Sequence, residues 1–177
     1  MVYIKYLKKG LCGGFLVDQQ HVITAAHCAV SAHGPREPSN FEVYVGAYNL
    51  DSLDAPYEVE KIQHPPHYKP PAFDYDIAVL RLRSNVNYSS KVSPICLAGE
   101  ELKPHENLIV AGFGWTGPIP SPSSKILQQV GVEYIPRKIF WHLIISQVPL
   151  EQNQALVNQL DYLSLSLSLS LSLSLSF

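Results

Sequence analysis

Two side chains in this sequence stand where titratable chemistry could use them. His27 lies in the stretch Leu11 to Cys28, LCGGFLVDQQHVITAAHC, just after the short apolar run His21-Val22-Ile23-Thr24. Ala25 and Ala26 leave room beside its ring, and an imidazole titrates near neutral pH, so the position suits a general base. Asp76 heads a second apolar run, in Phe73-Asp74-Tyr75-Asp76-Ile77-Ala78-Val79-Leu80-Arg81-Leu82. A carboxylate there can be carried inward, accept a hydrogen bond from an imidazole and fix its tautomer. Asp74 is the alternative carrier of that role. Taken singly, neither residue is diagnostic, because most histidines are surface or satisfied core residues and most aspartates ahead of strands belong to turns.

The elements that would position these groups are strands. Met1 to Lys9 alternates apolar and polar residues, as do Phe41 to Gly46 and Tyr57 to Ile62, and Ala32 to Asn40 between them carries the Gly, Pro and Ser of a surface loop. Gly13-Gly14 allows close approach of backbone at the strand before the histidine. Cys28 can tie the histidine turn back to Cys12, closing a short loop that contributes on the order of 3 kcal/mol. Asp51, Asp54, Glu58 and Glu60 suggest a calcium loop only superficially and are better explained as a solvated acidic loop. His64 and His67 have no accompanying Cys or carboxylate at zinc-site spacing. No metal or cofactor is expected.

Composition narrows the function classes. The 177 residues include only 16% charged side chains, well below the roughly 25% of an average soluble domain. Net charge is −2 and there is no long basic run, which argues against nucleic acid as a partner. Fourteen prolines and ten tyrosines fit many short strands joined by ordered loops. The N-terminal stretch lacks the apolar core and cleavage site of a signal peptide. Three cysteines is an odd number, so with Cys12 and Cys28 paired, Cys96 is left over.

The CGGxL and TAAHC strings around His27 resemble the histidine signature of the trypsin/chymotrypsin-like serine endopeptidases, and DIAVLRL resembles that family's aspartate signature. His27 precedes Asp76, as in the family. His64-Pro65-Pro66-His67-Tyr68 is similar to its HPxY turn, and Val110 to Trp115 to its VAGWG strand, with Phe113 in place of Trp. The resemblance implies an all-β, trypsin-like double antiparallel β-barrel. Its first barrel would be near complete over residues 1–106 and its second truncated to opening strands over 107–140. His27 would act as base and Asp76 would orient it, on a polypeptide substrate, in a secreted protein. Ala47 stands where calcium-binding members have Glu, and Leu108 where many have a further cysteine. For Cys96 two outcomes stay open: a bond to a pro-segment absent from this sequence, or a buried free thiol. No Ile-Val-Gly-Gly terminus occurs, so Met1 is expected to be an internal residue.

Beyond Phe140 the resemblance stops. Trp141 to Tyr162 could form a strand and a short helix near Glu151 to Leu160. Leu163 to Ser176 is strict Leu-Ser alternation, the product expected of a CT repeat read in frame. Its serines rule out a membrane span. The sequence contains neither Gly-Asp-Ser-Gly-Gly nor a Gly-flanked serine, so two of the four parts of acyl transfer, the nucleophile and the oxyanion donors, are not identifiable. The expectation is a protease fragment without its nucleophile. The alternatives are a non-catalytic homologue that binds a partner and a mispredicted gene product.

Overall fold

The computed structural model describes residues 1–71, 74–99, 102–114 and 123–136. The strand, helix and Leu-Ser repeat expected beyond residue 140 lie outside them. β1 (Val2–Tyr6), β2 (Lys9–Leu16) and β3 (His21–Thr24) follow one another and lead into a single helical turn, α1 (Ala26–Ala29). The short pair β4 (Val30–Ser31) and β5 (Gly34–Pro35) precedes β6 (Phe41–Val45), β7 (Tyr57–Gln63) and β8 (Ala78–Leu82). β9 (Asn107–Gly112) and β10 (Gln128–Glu133) complete the strands among the described residues, and the expected loop Ala32 to Asn40 holds β5 and a 3₁₀ turn (Pro38–Asn40) before β6.

Six strands close an antiparallel barrel in the order β1-β2-β3-β8-β7-β6, with β6 pairing back onto β1. Period-2 alternation sends Val22 and Thr24 of β3, and Ala78, Leu80 and Leu82 of β8, into the interior. They meet Ile4, Val43 and Val86 there, all fully buried. The expected strand Met1 to Lys9 is shorter than its alternation suggests. It turns at Leu7 and Lys8, whose φ angles of 51° and 64° suit the tight hairpin into β2. Gly14 sits where a Cβ would come within 2.7 Å of the Ile23 carbonyl oxygen, so β2 and β3 can approach closely only with glycine there.

β9 and β10 pair antiparallel from Asn107↔Glu133 to Gly112↔Gln128 and form a partial second barrel. Phe113 anchors this pair by burying its ring edge-on against Tyr3, with centroids 5.5 Å apart. Backbone bonds from Leu50 N–H to the Lys125 carbonyl and from Leu127 N–H to the Tyr48 carbonyl, both 2.8 Å, stitch the same seam.

Candidate active site

His27 sits in a helix too short to be stable alone. α1 has Ala25 at its N-cap, which supplies no side-chain cap. Asp76, 49 residues further along the chain, does that work instead: the backbone N–H of His27 donates to its Oδ1 at 2.7 Å. The other carboxylate oxygen, Oδ2, accepts from the Nδ1–H of the same residue at 2.7 Å. One side chain therefore fixes both the backbone and the ring of His27.

The strand ladder brings the two together. β3 and β8 run antiparallel, with Thr24 paired to Ala78, so His27 beyond the end of β3 meets Asp76 just before the start of β8. Thr24 donates its hydroxyl to the Gly13 carbonyl at 2.8 Å, tying β3 to the glycine pair in β2. Cys12 and Cys28 form a disulfide with Cα atoms 6.2 Å apart, which fastens α1 to the same strand. The side chain of Asp76 is wholly buried, whereas the His27 side chain keeps 25% of its surface exposed. A buried carboxylate behind a partly exposed imidazole is an asymmetric couple: the acid is shielded and the base reaches solvent.

Tyr68 completes the surroundings. Its ring is buried, and its phenol is pushed up to about 12, first by desolvation and then by the negative charge of Asp76. Sequence reasoning placed Tyr68 only in a turn, and the structure does put it there, with its N–H donating to the Pro65 carbonyl at 3.1 Å. Nothing in the local sequence signals its nearness to Asp76, since that depends on how the loop folds back.

Several sequence assignments resolve in the structure. Asp76, not Asp74, engages His27; Oδ1 of Asp74 is buried without a hydrogen-bond partner among the described residues. Glu58 and Glu60 pair with Arg83 and Arg81, at 3.0 and 3.3 Å, and Asp51 pairs with Lys125 at 2.8 Å. His64 donates from Nδ1 to the Pro65 carbonyl, and His67 lies against Tyr75. The one grouping of potential metal ligands among the described residues is Cys12, His27 and Cys28, whose ligand atoms lie within 4.8 Å of one another. Its two sulfurs are bonded to each other, so neither is available as a thiolate. The buried-thiol alternative for Cys96 is corrected: the thiol is free and exposed. It rides on a surface strip between exposed Ile95 and Leu97, held to the barrel by the Ile95 N–H bond to the Leu16 carbonyl.

A family model described as Trypsin matches residues 1–147. The chain belongs to the trypsin family. It is 38% identical over 112 residues to the clotting factor G beta subunit of Tachypleus tridentatus, covering 60% of this chain and 36% of that protein. The proclotting enzyme of the same organism is 35% identical over 143 residues, covering 73% of this chain and 38% of its own length. The chain thus spans well under half of each of these relatives. Mouse neuropsin, a serine protease, superposes with a TM-score of 0.70 at 23% identity, over 84% of this chain and 65% of the other, which shows the shared fold. Among the described residues no helix is long and apolar enough to cross a membrane.

Proposed function

We propose that this chain carries the histidine–aspartate half of an extracellular serine endopeptidase site. The observation that carries this reading is the double engagement of His27 by Asp76 through Nδ1–H and backbone N–H. A carboxylate only accepts, so the neutral ring holds its proton on Nδ1 and presents its lone pair at Nε2. In peptide hydrolysis Nε2 takes the proton of the attacking hydroxyl and later returns it to the leaving amine. Asp76 stabilises the imidazolium formed in between. Family membership supports a polypeptide substrate. The Cys12–Cys28 bridge supports an oxidising, extracellular setting. The Cys96 thiol is free and exposed, which supports the reading that it bonds a pro-segment.

The 177 residues contain no Gly-Asp-Ser-Gly-Gly from which the attacking hydroxyl could come. Loss of the nucleophile alone costs on the order of 10⁶ in turnover, so the chain by itself is inactive. Incubation with a fluorophosphonate and with peptide esters tests this. We expect no covalent labelling and no turnover; stoichiometric labelling of any serine would overturn it.

A further inference from the structure

Asn87-Tyr88-Ser89 is the single Asn-X-Ser/Thr sequence in the chain, and the site described above makes no use of it. It follows β8 on the barrel surface. Val86 is fully buried and its N–H donates to the Gln19 carbonyl at 2.7 Å. Ser89 exchanges backbone hydrogen bonds with Val92 at 2.8 and 3.2 Å. Between these two anchors Asn87 and Tyr88 are exposed, and neither makes a backbone hydrogen bond to another described residue. The acceptor amide is thus held in place at both flanks and open in the middle.

A shallow cleft of about 500 Å³, broadly open to solvent, adjoins it, lined by Asp18, Gln19, Gln20, His21, Asn85 and Tyr88. These amides, carboxylate, imidazole and phenol are the groups that sugar hydroxyls pair with. Asp18 is already ordered there. It accepts from the N–H groups of Gln20 and His21 at 2.7 and 2.8 Å and from His21 Nδ1–H at 2.8 Å. The cleft lies at the far end of the barrel from His27. β3 begins at His21, paired with Arg81, and ends at Thr24, paired with Ala78. The strand separates the two ends by about 10 Å at ~3.3 Å per residue.

We propose that Asn87 carries an N-linked oligosaccharide whose first sugars lie over this polar cleft, leaving the His27 end of the barrel uncovered. The proposal rests on the reading that the protein is exported. The transfer forms a bond from Asn87 Nδ2 to the anomeric carbon of a lipid-linked diphospho-oligosaccharide. The carbon–oxygen bond to phosphate breaks, the lipid diphosphate leaves with the electron pair, and one amide proton is lost to the transferase base.

To test it, the full chain is expressed behind a foreign signal peptide, so that entry into the secretory pathway is independent of the export reading. Removal of that peptide reports entry. Peptide N-glycosidase in ¹⁸O-water should then lower the mass by one glycan and convert Asn87 to labelled aspartate. Asn87→Gln and Ser89→Ala should each abolish the glycan, and Ser89→Thr should retain it. A processed chain with unmodified Asn87 would overturn the proposal. Retention inside the cell of the protein made from its natural transcript would instead overturn the export reading. Amide exchange across 18–21 should quicken when the glycan is removed, and unchanged exchange would overturn its placement over the cleft.

Discussion

The closed barrel and the β9–β10 pair both carry apolar strand residues but leave them in different environments. In the barrel, Ile4, Val22, Val43 and Leu80 are fully buried because each strand has a neighbour on both sides and the sheet curls onto itself. In the described pair, Ile109 is 74% and Val130 56% exposed, while Phe113 and Leu127 pack into the seam with the first barrel. Apolar alternation stabilises a sheet only where something lies against its inner face. The His27–Asp76 couple draws its rigidity from the closed region, since its supports are β2, β3 and β8.

The largest expected contrast is in core substitutions. Leu80→Ala should cost about 2–5 kcal/mol in urea unfolding, whereas Val130→Thr should change stability by less than about 0.5 kcal/mol. Equal costs would mean that the β9–β10 face is covered in solution. Next in size is the disulfide. Cys12 and Cys28 are 16 residues apart. The paired Cys12→Ser and Cys28→Ser variant should lose about 3 kcal/mol of barrel stability. Amide exchange should report that loss in β2, β3 and α1, with β9 and β10 unaffected.

The strands around the site were legible in the sequence because β6 and β7 alternate cleanly, β3 and β8 are short apolar runs, and the histidine and aspartate strings are long. The hairpin at Leu7 and Lys8 was not, since neither residue is among those that favour positive φ. Nor was the role of Asp76 as the cap of α1. Capping is read from neighbours in sequence, and here the cap arrives from 49 residues away. Cys96 gave no sign of its exposure, because an apolar neighbourhood such as Ile95 and Leu97 usually marks a core.

A smaller effect belongs to Tyr68. Its phenol lies near 12 in the folded chain against a reference value of 10.0. Folding therefore favours the protonated form. The contribution to stability is complete below pH 10 and disappears as pH rises toward 12. Tyr68→Phe should flatten the loss of stability over that alkaline window while leaving the neutral-pH site geometry intact. An unchanged alkaline slope would assign the loss to other tyrosines.

The most direct test of the preformed couple is nitrogen and proton NMR of the His27 ring, at a pH where the imidazole is neutral. The geometry predicts a protonated Nδ1 whose hydrogen resonates far downfield and exchanges slowly, and loss of that signal in Asp76→Asn. A neutral His27 ring with its proton on Nε2, or a downfield signal that survives Asp76→Asn, would contradict the account.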